Sequence, residues 1–178
     1  MNTPFFITGL PRSRTAWLAN LLTHGRSFCL HDGVLRGLPE LIATMKTLAD
    51  SHAVVGDADS GLLFYAEELK QLFPKARWVF VKRDKLAAET SYKRHFARRD
   101  PYLLPGTDLL PVFRKLADQY AVARNQVHHL EIPFERLDKM ETVKAVWDWC
   151  LPHDPFDAVR AEQLLRLRIN IIPEKVKR

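Results

Sequence analysis

The sequence predicts an α/β protein: three layers, α/β/α, around a mainly parallel sheet of about five strands. Three observations carry this. Short apolar runs rich in β-branched and aromatic residues alternate with longer segments of helical period. Strand and helix in alternation imply parallel strands joined by crossover helices on both faces. The first strand-to-helix junction is a loop of glycine, hydroxyls and arginines. The 178 residues suit one domain, and 47% apolar with 27% charged residues is enough to fill a core.

The elements follow in order. Phe5 to Thr8 reads as a buried strand ending at Gly9. Ser13 to Thr23 is then helical, with Trp17, Leu18, Leu21 and Leu22 on one face. Phe28-Cys29-Leu30 is a second strand. Gly37-Leu38-Pro39 opens a helix to about Ala49, with proline in its first turn. Ala53-Val54-Val55 is a third strand, closed by Gly56-Asp57. Ser60 is positioned to cap a helix through Leu72, ahead of Pro74. Trp78 to Val81 is the clearest strand, followed by a helix from about Leu86 to Arg98. Pro101 to Pro111 reads as a loop, Leu116 to Val127 as a helix and His128 to Ile132 as a fifth strand. Helices near Lys139–Cys150 and Phe156–Arg168 complete the set. The tail from Asn170 to Arg178 has few core candidates after Ile172 and is expected to be mobile.

No apolar run approaches the roughly 20 residues that span a bilayer. The first residues lack a basic region ahead of their apolar stretch, so a signal peptide is not expected. Cys29 and Cys150 lie far apart in apolar stretches and read as small buried hydrophobes, which fits a cytoplasmic protein. The net charge of +6 is unevenly spread. Lys82 to Arg99 holds seven basic residues against Asp84 and Glu89, and Arg12, Arg14 and Arg26 precede the first carboxylate, Asp32. Such a local field suits an anionic ligand, or equally a solvated basic helix face.

Ligands of parallel sheets bind beyond the carboxyl ends of the strands. The segments that arrive there are Gly9–Thr15, His31–Gly33, Asp57–Ser60 and Lys82–Lys85. In the first, Gly9-Leu10-Pro11-Arg12-Ser13-Arg14-Thr15 opens a helix whose leading N–H groups are unpaired and receive an anion. Arg12 adds a charge-assisted bond, and Ser13 and Thr15 add hydroxyl donors. The NTPase pattern G-x-x-x-x-G-K-(S/T) is not completed, because Arg14 stands at its second glycine and Thr15 at its lysine.

Pro11-Arg12-Ser13-Arg14-Thr15-Ala16-Trp17 resembles the 5′-phosphosulfate loop of the PAPS-dependent sulfotransferases, P-(K/R)-S-G-T-(T/S)-W (PAPS is 3′-phosphoadenosine 5′-phosphosulfate). The resemblance implies that Arg12 faces the bridging and sulfuryl oxygens, that Ser13 and Thr15 hold the 5′-phosphate, and that Trp17 lies against the adenine. Arg14 replaces the family glycine and Ala16 the second hydroxyl. After the strand at 78–81, Arg83 and Ser91 have the spacing of the family's arginine and serine, which grip the 3′-phosphate; Lys85 replaces a frequent proline. His129 to Leu137 resembles the family's late strand and its Y-E-D-L segment. The family's C-terminal glycine- and lysine-containing loop has no clear counterpart.

The resemblance implies sulfuryl transfer from PAPS to a hydroxyl or amine, leaving PAP, with no metal. His31, just after the second strand, is the first candidate for the base that takes the acceptor's proton. Asp32 competes with it. Asp57 and Asp59 also fall at a strand end: in a kinase reading Asp57 would resemble the aspartate that holds magnesium, in the sulfotransferase reading it would line the acceptor pocket or fix Arg12, and a structural role bonding loop N–H groups is equally open. The loop 101–111 is a candidate acceptor lid. A magnesium-dependent phosphotransferase is the second function the sequence allows. A non-catalytic nucleotide- or nucleic-acid-binding module is the third, although no nucleic-acid motif is present.

Overall fold

The computed structural model describes residues 3–99 and 109–167. Five parallel strands form one sheet in the order β2-β3-β1-β4-β5: β1 (Phe5–Gly9), β2 (Ser27–His31), β3 (Val54–Ala58), β4 (Arg77–Lys82) and β5 (His129–Pro133). The helices are α1 (Thr15–Leu22), α2 (Leu38–Leu48), α3 (Ala66–Leu72), α4 (Lys85–Arg99), α5 (Leu110–Gln126), α6 (Met140–Cys150) and α7 (Ala158–Arg166).

Side-chain alternation along the strands sorts the helices into layers. Phe5, Ile7, Val79 and Val81 pack in one core with Leu18 and Leu21 of α1, Val146 and Trp147 of α6 and Leu164 of α7. Phe6, Trp78 and Phe80 point the other way, into a second core with Leu41 and Met45 of α2, Leu69 of α3 and Leu116 of α5. β1 and β4 are buried on both faces, which is why they read as continuous apolar runs. Both cysteines are buried thiols; burial pushes each above its ordinary range and leaves it inert. No helix among the described residues is long and apolar enough to cross a membrane.

Four sequence expectations are corrected. The segment from Ser60 to Leu72 is not one helix. It is a 3-10 turn (Ser60–Phe64) followed by α3, and the capping side chain is Asp59, which accepts from Gly61 N at 2.7 Å. α5 starts at Leu110 rather than Leu116, because Pro111 sits in its first turn, where a missing N–H costs nothing. α1 starts at Thr15 rather than Ser13, and α7 runs over Ala158–Arg166 rather than from Phe156. The greater part of the expected lid loop (101–108) and the tail 168–178 lie outside the described residues.

A third, small cluster fixes the site's scaffold. Leu10, in the loop after β1, packs with Ala88 and Tyr92 of α4 and Phe113 of α5. The loop and α4 are therefore held together by apolar contact before any ligand is considered.

Candidate functional site

From β1 the chain returns toward β3 and β2, whereas from β4 it proceeds outward to β5. The β1–β4 boundary is thus a topological switch point, where a crevice opens beyond the strand ends. Gly9 pairs with Val81 there. A Cβ on Gly9 would lie 2.7 Å from the Val81 carbonyl oxygen, so only glycine lets the loop leave β1 this close to β4.

Two residues of the loop, Arg12 (φ 73°) and Arg14 (φ 62°), occupy the left-handed region. Non-glycine residues seldom do, and such strain concentrates at functional sites. Arg14 holds a backbone conformation that favours glycine, and its side chain is exposed. Its guanidinium lies 5.5 Å from the centre of the Phe134 ring. Arg83, just past β4, lies 4.0 Å over the same ring and donates from Nη1 to the Arg12 carbonyl. Arg83 is half-buried; that burial, then the neighbouring Arg12 and Arg14, pull its proton affinity below the ordinary value. Assembling three guanidiniums costs repulsion, which a bound anion would relieve.

Two of the donors here have no partner among the described residues. Ser13 Oγ and Arg83 Nε are buried without a hydrogen bond. Beside the loop, Arg83, Asp84, Thr90, Ser91 and Arg94 line an open cavity of about 440 Å³. Asp84 caps the start of α4 by accepting from Ala87 N at 2.8 Å, which fixes the helix that carries Ser91. Arg83 and Ser91 line one cavity. Thr90 and Arg94 were not singled out in the sequence, although Ala87, Ser91 and Arg94 form an i, i+4, i+7 face. Phe134, the aromatic that holds Arg14 and Arg83, was missed as well.

Trp17 is corrected. It is 5% exposed, belongs to the core under α7, and donates its indole N–H to the Leu164 carbonyl at 2.9 Å. It presents no face to a ligand.

Across the sheet, β2 and β3 end in register, His31 against Ala58. His31 Nε2 lies 3.4 Å from Thr15 Oγ1, and His31 Nδ1 lies 3.2 Å from Asp32 Oδ2. The two candidates for the base are thus joined to each other and to the phosphate loop. Asp32 is in the left-handed region too, at φ 57°. Beneath them two buried carboxyls hold the turn after β2. Asp57 accepts from Gly33 N at 3.2 Å, and Asp59 accepts from Val34 N at 3.3 Å. A Cβ on Gly33 would meet Asp57 Oδ1 and Leu41 at 2.9 Å, so a side chain there would push the turn off its anchor. Burial, then the charge of Asp59, pushes the Asp57 carboxyl up to about 7. Burial raises Asp59 and Asp32 in the same direction.

These features define a doubly wound parallel α/β fold with a P-loop-like turn after its first strand. Among solved structures, the chain is similar to a sulfotransferase from Alicyclobacillus acidocaldarius, with a TM-score of 0.64 and 18% identity over 89% of this chain and 85% of that one. It is also similar to shikimate kinase from Bacteroides thetaiotaomicron, with a TM-score of 0.53 and 11% identity over 93% of this chain and 99% of that one. Both likenesses are of fold. No family model matches the chain, and no curated protein sequence matches it.

Proposed function

We propose that the chain is a sulfotransferase that moves a sulfuryl group from PAPS to a hydroxyl or amine acceptor. The observation that carries this reading is a pair of places suited to anions. One is the loop 9–15, with its buried Ser13 hydroxyl; the other is the cavity where Arg83 and Ser91 face each other's space. A nucleotide with separate 5′- and 3′-phosphates needs two such sites. A nucleoside triphosphate needs one site and a loop lysine, and Thr15 stands where that lysine would be. On this reading Gly9 and Pro11 shape the loop, Arg12 faces the sulfuryl end, and Ser13 and Thr15 hold the 5′-phosphate. Arg83 and Ser91 hold the 3′-phosphate, and His31 takes the acceptor's proton with Asp32 beside it. The fold likeness to a sulfotransferase supports the reading.

One observation favours a second reading, a magnesium-dependent phosphotransferase. Asp57 is next to last in β3, the strand beside β1, and its buried Oδ2 has no hydrogen-bond partner among the described residues. A carboxylate at a strand end beside a phosphate loop is a magnesium-binding arrangement in that chemistry, and the likeness to shikimate kinase accords with it. Calorimetric titration separates the two. PAP without metal should bind more tightly than ADP or ATP with magnesium. Preference for ATP with magnesium would overturn the sulfotransferase reading.

A further inference from the structure

Thr15, His31 and Asp32 form one polar chain drawn from two segments, a hydrogen bond followed by an ion-pair contact. Its links are Thr15 Oγ1 to His31 Nε2 at 3.4 Å and His31 Nδ1 to Asp32 Oδ2 at 3.2 Å. The polarity of each contact follows from the groups. An ionised carboxylate only accepts, so the Asp32 contact places the ring proton on Nδ1. Nε2 of the neutral ring is then an acceptor, and the Thr15 hydroxyl is its donor. The Thr15 hydroxyl has one proton, so it cannot serve Nε2 and a phosphate oxygen at once.

We propose that Thr15 masks His31 in the ligand-free protein, and that filling of the 5′-phosphate site turns the Thr15 hydroxyl away and frees His31 Nε2 for the acceptor. The inference rests on the sulfotransferase reading above. A charged phosphate oxygen is the stronger acceptor, with bonds roughly twice as strong as neutral ones. It therefore wins the Thr15 proton from imidazole. The side chains of His31 and Asp32 are 37% and 45% exposed, so an acceptor reaches the freed nitrogen from solvent. Asp32 keeps the proton on Nδ1 and is a positioning residue; its left-handed backbone (φ 57°) holds the carboxylate at the ring. In the transfer, Nε2 takes the proton of the acceptor hydroxyl as the acceptor oxygen bonds to sulfur. The bond from sulfur to the 5′-phosphate oxygen breaks, its electron pair stays on that oxygen, and PAP leaves. The base is thus exposed only when the sulfuryl donor's phosphate is in place, which orders nucleotide before acceptor.

The test is the nitrogen spectrum of His31 in the full chain, labelled at histidine with nitrogen-15 and assigned with His31→Gln. PAP is titrated in while calorimetry follows its binding. The expected result is that saturating PAP moves the Nε2 resonance from a hydrogen-bonded toward a free acceptor position, with Nδ1 still protonated. Thr15→Val should show the free position without PAP and no further movement with it, whereas Thr15→Ser should behave like wild type. Thr15→Ala serves the same purpose where valine disturbs α1. Asp32→Asn should shift the proton toward Nε2, which a purely structural role would not do. Binding of PAP with an unmoved Nε2, or a Thr15→Val spectrum equal to wild type, would overturn the inference alone. Absence of PAP binding would overturn the function proposed above and this inference with it.

Discussion

The carboxyl edge of the sheet has two halves of opposite chemistry. On the β1–β4 side Arg14 and Arg83 lie over Phe134 and Arg12 is beside Arg83, with Arg94 farther along the same opening. On the β2–β3 side stand His31, Asp32, Asp57 and Asp59, with no arginine or lysine between residues 27 and 35 or between 54 and 69. The first half is organised to attract polyanions. The second carries carboxyls that would repel them. Thr15 belongs to both, because it starts α1 on the loop and reaches His31. A group-transfer enzyme needs this division: a place for the leaving phosphate and, across from it, a place for an uncharged nucleophile to lose its proton.

The comparison can be broken most forcefully on the acidic side. Asp57 has a native proton affinity of about 7 against about 3.9 in an unfolded chain. The native protein therefore holds the extra proton between those values. This group's contribution falls as pH rises through that window and is level above it, by up to about 4 kcal/mol. Asp57→Asn keeps the bond from Gly33 N and removes the slope. Urea denaturation from about pH 4 to pH 8 should show wild type losing stability relative to the variant, and parallel curves would refute the assignment.

On the basic side, Arg83→Ala should weaken PAP binding on the order of 100-fold, the value of charge-assisted bonds to a phosphate. ADP, which lacks the 3′-phosphate, should lose much less. An equal loss for both would place Arg83 at the loop alone, through its bond to Arg12.

Trp17→Phe should cost about 1–2 kcal/mol of stability, because the Leu164 carbonyl loses its buried donor. PAP affinity should stay unchanged, and a large loss would return Trp17 to the site. The smallest effect is expected for Arg14→Gly. Glycine suits φ 62°, and an exposed cation–π contact is worth about 0.5–1 kcal/mol, so thermal stability should change little. A drop in PAP affinity approaching that of Arg83→Ala would raise Arg14 to an equal partner in the site.

How much of this was legible in the sequence differs between the two halves. β1 and β4 were the clearest strands because burial on both faces leaves unbroken apolar runs, as in Phe5 to Ile7 and Trp78 to Val81. Gly9 to Thr15, and the Arg83–Ser91 pair, were visible because their spacing is local and their surroundings are a strand and a helix. The start of α5 was not, because Pro111 reads as a loop residue until its place in a first turn is known. Trp17 was assigned by its neighbours in a motif, and packing against Leu164, 147 residues later, decided otherwise. His31 and Asp32 appeared as rivals, since nothing local reveals that a left-handed Asp32 turns its carboxylate back onto the imidazole. Their link to Thr15 depends on how β1, β3 and β2 are ordered, which no residue pattern specifies.

The most direct measurement is the crystal structure of the PAP complex. The account predicts the 5′-phosphate on the backbone of residues 9–15, with the Thr15 hydroxyl turned onto it, and the 3′-phosphate between Arg83 and Ser91 on the basic half of the edge. A nucleotide lying across Asp57 and Asp59 instead, or one seated on the loop with the Arg83 cavity empty, would contradict it.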